Sequence, residues 1–209
     1  MRAHRRRGFT QRGFTLLELI IALSIVGALL VVAFGGLRVG IAAWSQGEDR
    51  AEAHAHLRGV AVILGRALGA AYPYRAPLSQ APDTALLFRG TESRLEFTTQ
   101  TPPFPPAVPV AFTAVIFATE TENGPALVVR QRVLPNRDPF TEAAVVLRDS
   151  AVQQLAFRYL NESGSWQDSW DSEAENGLPR AVQVTITTVR HGRVEAMPPL
   201  TVALRAAAQ

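Results

Sequence analysis

A single carboxylate lies near the start of a long apolar segment. Between Phe14 and Leu37, Glu18 is the only charged residue. The segment is long enough to cross a hydrocarbon core about 30 Å thick, which takes a helix of about 20 residues. A carboxylate inside such a segment costs roughly 2.5–3.5 kcal/mol on insertion scales, so we expect Glu18 to have a function.

One chemistry for Glu18 is an ion pair with a newly made amino terminus. If the chain is cut between Gly13 and Phe14, the α-amino group of Phe14 becomes a cation at the start of the helix. That cation can pair with the Glu18 carboxylate of a neighbouring subunit at similar depth. An upstream copy, Gly8-Phe9-Thr10, has Gly13 where the acid should stand, so Gly13 is the better cleavage site.

The alternatives for this segment are an uncleaved anchor and an ordinary secretory signal. A secretory signal has an apolar core of about 7–15 residues followed by a small-residue cleavage site. The segment here continues too far, and the proposed cut precedes it.

The positive charge of the chain is concentrated at its start, where five arginines lie between Met1 and Gly13. The rest of the chain carries 16 arginines against 18 acids, a formal charge of −2, which removes the basis for nucleic-acid binding. Positive flanks stay cytoplasmic, so the chain after about Arg38 should face the periplasm. Because the chain has no cysteine, disulfides, thiolate metal sites and lipid attachment through cysteine are excluded.

The apolar periodicity predicts four segments. These are a basic leader over 1–13, a transmembrane and assembly helix over 14–37, an amphipathic helix over 38–73 and a β-rich domain over 74–209. In the second helix one apolar stripe is spaced by three or four positions: Ala53, Leu57, Val60, Leu64, Leu68 and Ala71. Glycines at 35, 36 and 40 indicate either a loosened helix or close packing near the membrane surface.

After residue 82 the period changes to that of strands. Strands are predicted over 85–88, 95–98, 110–118, 127–133, 145–148, 155–160, 182–189 and 200–204. Short turns between them favour largely antiparallel sheets packed on the helix stripe, which is an α+β fold. Five prolines in 101–109 predict a stiff, extended connector.

No pattern in the sequence indicates catalysis. A Gly-x-Ser-x-Gly elbow and a phosphate-binding loop are both absent, and His54 and His56 are too close in sequence to chelate a metal from one helix face. The acidic loop formed by Asp168, Asp171, Glu173 and Glu175 has oxygen ligands suited to Ca²⁺. It lacks the fixed spacing and glycine of a helix-flanked calcium loop, so a solvated acidic loop is the alternative and no cofactor is predicted.

Gly13, Phe14, Thr15, Leu16 and Glu18 resemble the cleavage and methylation signal of type IV pilins and pseudopilins. Further along, the chain is similar to the J-type minor pseudopilin of the type II secretion system in the order of three motifs. The similar motifs are a strand over 155–159, a loop with Trp166 and Trp170, and a turn with Leu178 and Pro179 entering the next strand. The proline-rich 101–109 loop departs from the family pattern.

The tryptophans have two interpretations. The first is packing: the side chains of Trp166 and Trp170 flank a turn and, if the loop is helical, lie one helical turn apart and can stack or anchor the loop. The second is a patch that faces a partner. Pro179 holds Leu178 in an extended conformation and so fixes the entry into the following strand.

The resemblance implies a role that is structural and not enzymatic. A prepilin peptidase would cut after Gly13 and N-methylate Phe14, and the subunit would join a short pseudopilus in the bacterial inner membrane that exports folded proteins. Its partners would be the I-type and K-type minor pseudopilins. The alternatives are a minor pilin of a type IV pilus or DNA-uptake machine, and a membrane-tethered periplasmic binding or sensor domain.

Overall fold

A computed structural model of the protein describes residues 13–77, 84–122, 124–190 and 193–204. Apart from Gly13, the predicted leader lies outside the described residues, and so does the upstream Gly8-Phe9-Thr10 copy. The chain divides into two compact units, Met1–Ala53 and His54–Gln209. The described residues form one α-helix and thirteen β-strands.

The helix α1 runs without a break from Leu16 to Gly69. The glycines at 35, 36 and 40 therefore do not interrupt it, contrary to the loosened helix that was one of the two expectations. Its segment Leu16–Trp44 has a mean hydropathy of 2.8 and is long and apolar enough to cross a membrane. Apolar side chains along this segment are exposed, as expected for a surface that lipid or other helices would cover.

The strands follow the helix in chain order. Their bounds are β1 Arg75–Pro77, β2 Thr84–Leu86, β3 Phe88–Gly90, β4 Arg94–Thr99, β5 Thr113–Glu120, β6 Ala126–Val133, β7 Ala144–Asp149, β8 Val152–Leu160, β9 Trp166–Gln167, β10 Trp170–Asp171, β11 Ala181–Arg190, β12 Arg193–Ala196 and β13 Leu200–Ala203.

Every strand pairing among the described residues is antiparallel, as the sequence predicts. One sheet has six strands in the order β10-β3-β4-β5-β6-β7. The other has five: β12, β11, β8 and β9 in that order, with β13 also paired to β11. The strands β1 and β2 form a separate two-stranded sheet. The α+β class expected from the sequence is confirmed.

The core of the second unit is built around the helix stripe. Leu57, Val60, Leu64 and Leu68 are all buried, together with the inward sides of both sheets. Ala71 is also buried, but it lies beyond the end of the helix at Gly69 and forms an isolated bridge with Thr99. The largest side chains in this core are aromatic, among them Phe97, Phe117, Phe157 and Tyr159. A smaller cluster of Ala76, Leu87, Ala114 and Leu134 lies apart from this core.

The helix ends where it meets β4. The Thr99 Oγ1 donates to the carbonyl oxygen of Ala67 at 2.7 Å, and the backbone N–H of Gln100 donates to that of Ala70 at 3.1 Å. These bonds satisfy carbonyls at the end of the helix, which have no partner inside it. Pro73 follows, and its ring cannot continue the helix.

The turn between β3 and β4 ties the two large sheets together. The backbone N–H of Phe157, in β8, donates to the carbonyl of Glu92 at 2.8 Å, and the Tyr159 hydroxyl donates to that of Thr91 at 2.9 Å. Gly90 has no space for a side chain, because an added Cβ would overlap the ring of Tyr159. Glycine is therefore required at position 90 for packing.

Candidate functional site

The start of α1 has the geometry of a capping box. Thr15 is the last residue before the helix, and Glu18 is the third residue within it. The backbone N–H of Glu18 donates to Thr15 Oγ1 at 3.3 Å, while the N–H of Thr15 donates to Glu18 Oε2 at 3.4 Å. A threonine followed three residues later by glutamate makes these reciprocal bonds at helix starts.

The capping box holds the Glu18 side chain near the helix terminus. The Thr15 hydroxyl is also 3.4 Å from Glu18 Oε2, so both contacts from Thr15 converge on one carboxylate oxygen. The bonds are long and therefore weak. Within the described part of the chain, Oε1 of Glu18 forms no hydrogen bond and can accept one from another subunit. A carboxylate in the first turn is also stabilised by the helix dipole.

The bond between Gly13 and Phe14 lies outside the helix. Residues 13–15 have no regular secondary structure, and the Phe14 side chain is 84% exposed. An added Cβ at Gly13 would meet nothing within 4 Å. The structure thus brings Gly13, Phe14 and Glu18 together at one terminus, with the candidate cleavage bond exposed and the carboxylate just beyond it.

The other candidate residues lie in the second unit, within the β-rich region. Trp170 in β10 is buried, and its Nε1 donates to the carbonyl of Gly177 at 3.0 Å. Leu178 and Pro179 are buried at the entry to β11. Trp166, in β9, is half-buried. Of these four residues, Trp170, Leu178 and Pro179 are thus buried and Trp166 is partly accessible.

The helical interpretation of the tryptophan loop is wrong. Trp166 and Trp170 lie in two short strands, and these strands belong to different sheets. Trp166 pairs with Leu160, whereas Trp170 pairs with Gly90. Long-range strand pairing overrides the local spacing, so the two rings do not lie one helical turn apart.

The acidic loop uses two of its carboxylates internally. The Arg158 Nε donates to Asp168 Oδ1 at 3.0 Å, and the backbone N–H of Glu173 donates to Asp171 Oδ1 at 3.0 Å. Among the described residues, no group of three or more His, Cys, Asp or Glu is placed to hold a metal ion. His56 instead contacts Asp149, with its Nε2 2.7 Å from the carboxylate Oδ2.

Sequence reasoning missed the roles of Thr15, Gly90 and Tyr159. The signal for Thr15 was present, because Thr15-Leu16-Leu17-Glu18 matches the capping-box pattern. Gly90 and Tyr159 lie far apart in the sequence, and no local pattern indicates that they meet. Burial raises the pKa of the Tyr159 phenol far above its ordinary value, so the hydroxyl remains a proton donor to Thr91.

Comparisons with known proteins agree with this arrangement. The family model described as type II secretion system (T2SS), protein J matches residues 35–198, and the model of the prokaryotic N-terminal methylation motif matches residues 8–34. The chain belongs to the type II secretion system protein J family. A relative from Xanthomonas campestris pv. campestris, named type II secretion system protein J, is 29% identical over an alignment 216 positions long, which covers 92% of each chain.

Membership of the protein J family sets the function of the chain. It is a minor pseudopilin of the type II secretion system, and thus a structural component of a secretion machine. The apolar helix and the methylation motif make it a single-pass, membrane-anchored subunit. Processing by prepilin peptidase and association with the pseudopilus follow from the same two matches.

Proposed function

We propose that prepilin peptidase cuts the bond between Gly13 and Phe14 and that the new amino group of Phe14 is N-methylated. The capping box carries this proposal, because it begins the helix just after an exposed, non-helical Gly13-Phe14 bond. The cut releases the five arginines of the leader and leaves a cation at the membrane end of the helix.

Glu18 then serves assembly through its free oxygen. Thr15 engages Oε2, so Oε1 accepts a hydrogen bond from the methylated amino group of a neighbouring subunit at similar depth. In hydrocarbon such a pair offsets part of the cost of two charges that are each expensive alone. The globular region lies on the periplasmic side, since arginine-rich flanks stay in the cytoplasm.

The partners proposed for assembly are the I-type and K-type minor pseudopilins. They would meet this subunit through the flank of α1 and the adjoining sheet surface, because the stripe from Leu57 to Leu68 is occupied by the core of its own domain. The assembled pseudopilus acts in the export of folded proteins.

Mass analysis of the mature protein tests the cleavage site. We expect the chain to begin at Phe14 and to be heavier by one methyl group. Replacing Gly13 by leucine should block processing, whereas Gly8→Leu is a matched control in the upstream copy and should be cut normally. A mature chain that begins at Met1, at Phe9 or after the apolar segment contradicts the proposal.

A further inference from the structure

The uninterrupted apolar part of α1 ends at an arginine. The helix is unbroken here, so at 1.5 Å per residue the segment from Leu16 to Leu37 is about 33 Å long. This length is close to the thickness of a hydrocarbon core, which is about 30 Å. Arg38 therefore lies where the hydrocarbon ends, at the far end of the segment from Glu18.

Arg38 has no anion close to it on the helix. The residues one helical turn before and after it are uncharged: Phe34, Gly35, Ile41 and Ala42. Among the described residues every ion pair lies in the second unit, and none includes Arg38. Because Arg38 is exposed, its guanidinium can take an anion from outside the protein.

Trp44 lies near the same level. It follows Arg38 by six positions, which is about 9 Å along the helix axis. It is also 77% exposed. Side chains on a helix lean toward its N-terminus, so the indole reaches back toward Arg38. The long stem of Arg38 lets the guanidinium reach outward, in the opposite direction. Both groups can thus occupy one layer of lipid headgroups, where tryptophan is enriched.

Apolarity alone does not fix where the helix leaves the membrane. The segment that could cross a membrane continues past Arg38 to Trp44, through Val39 and Ile41, which are both exposed. A helix with so long an apolar stretch can tilt or shift in a bilayer of ordinary thickness. Groups that prefer the headgroup layer must therefore set its depth.

We propose that Arg38 binds the phosphate of a phospholipid in the periplasmic leaflet, and that this contact, with Trp44 in the same layer, sets the depth of α1 in the membrane. The inference rests on the proposed function, which puts the chain after Arg38 on the periplasmic side. A guanidinium donates two parallel hydrogen bonds to phosphate oxygens, which favours a phosphate over water. A lipid supplies this phosphate, since the exposed Leu37 and Val39 on either side of Arg38 suit acyl chains.

A spin label near Arg38 measures the depth of the helix in the full chain. The chain has no cysteine, so Ile41→Cys provides one attachment point at an exposed position. The labelled chain is reconstituted in two kinds of vesicle, one of phosphatidylethanolamine with phosphatidylglycerol and one of digalactosyl diacylglycerol, which has no phosphate. Collision rates of the label with oxygen and with a water-soluble nickel complex give its depth.

In phospholipid vesicles, Arg38→Gln should move the label toward the hydrocarbon by about 5 Å, one helical turn. Arg38→Lys, which keeps the charge, and Trp44→Leu should each move it by less. Arg58→Gln is the matched control and should leave the depth unchanged, because this exposed arginine lies beyond the apolar segment. In digalactosyl vesicles the shift caused by Arg38→Gln should be much smaller, and added inorganic phosphate should not restore it.

Three results would overturn the inference. An unchanged label depth in Arg38→Gln shows that Arg38 does not set the depth of the helix. A shift of equal size in both kinds of vesicle shows that Arg38 needs only water and not phosphate. A shift that inorganic phosphate restores in digalactosyl vesicles assigns the site to the free anion.

The choice of leaflet is tested separately in cells. A membrane-impermeant thiol reagent should label Gly47→Cys from the periplasmic side of spheroplasts, since Gly47 is exposed just beyond Trp44. Labelling only from the cytoplasmic side contradicts the orientation in the proposed function and with it the periplasmic leaflet. The depth measurements in vesicles do not depend on that orientation, so the two failures are distinguishable.

Discussion

At the scale of single residues, we propose two roles for Glu18 that can be separated. Thr15 holds one carboxylate oxygen within its own chain, and the other oxygen is open to a neighbouring subunit. The sequence alone indicated the acid, because a lone charge in so long an apolar segment is conspicuous. The position of its side chain depends on the hydroxyl of Thr15, which lies 3.4 Å from the carboxylate oxygen Oε2.

Substitutions at these two positions should therefore affect assembly and not insertion. Glu18→Ala should insert at least as well as the natural chain, because a cost of roughly 2.5–3.5 kcal/mol is removed. Its incorporation into the pseudopilus should fall severely. Incorporation of Thr15→Ala should fall less, and incorporation of Thr15→Ser, which keeps the hydroxyl, should be nearly normal. Membrane fractionation and recovery with assembled pseudopili measure the two steps. Efficient assembly of Glu18→Ala would reject the intersubunit pair.

The contact of Gly90 with Tyr159 should dominate the stability of the β3–β4 turn. Gly90→Ala forces a methyl group into the Tyr159 ring and should lower the free energy of unfolding by about 3 kcal/mol. Tyr159→Phe loses one hydrogen bond and should lower it by about 1 kcal/mol. Gly59→Ala is the matched control: its added Cβ meets open space in a helix, so stability should rise by roughly 0.4–1 kcal/mol. Denaturant unfolding in detergent, followed by tryptophan fluorescence, gives all three free-energy changes. Equal changes in the free energy of unfolding for Gly59→Ala and Gly90→Ala would contradict the proposed contact.

At the scale of elements, the sequence predicted long strands well and short ones poorly. Each of the eight predicted strand segments overlaps an observed strand, because alternation over several positions is a clear signal. The strands β1, β9, β10 and β12 are too short for a period to appear. The strand predicted from residue 110 begins three residues later, at Thr113.

The contact between α1 and the last residue of β7 was also invisible in the sequence. His56 and Asp149 are distant in the chain, yet their side chains meet at 2.7 Å. We expect a double-mutant cycle with His56→Ala and Asp149→Ala to give a coupling of about 0.5–1 kcal/mol, modest because the His56 side chain is 46% exposed. High salt should reduce it. A coupling of zero in unfolding measurements at low salt would show that the contact does not stabilise the helix on the sheet.

At the scale of the whole molecule, the burial of one face of α1 determines what the soluble region can do alone. Its stripe from Leu57 to Leu68 is buried by the sheets of the same domain, so this face is not available to a second subunit. The chain has no cysteine, and the aromatic core around Phe97 and Phe157 holds the sheets together by packing. Stability of this region should thus be independent of chelator and reductant.

A truncated chain that begins at Gly47 tests whether the soluble region folds alone and stays monomeric. We expect it to fold with an unchanged melting temperature in EDTA or reductant and to elute as a monomer, because the apolar segment Leu16–Trp44 has been removed and the stripe is internally satisfied. Mixed with the I-type and K-type minor pseudopilins it should co-elute with them, since the flank of the helix and the adjoining sheet remain open. A loss of stability in EDTA would instead indicate a structural metal. A chain that stays monomeric with both companions at micromolar concentration, yet binds a small ligand tightly, would favour a tethered sensor over an assembly subunit.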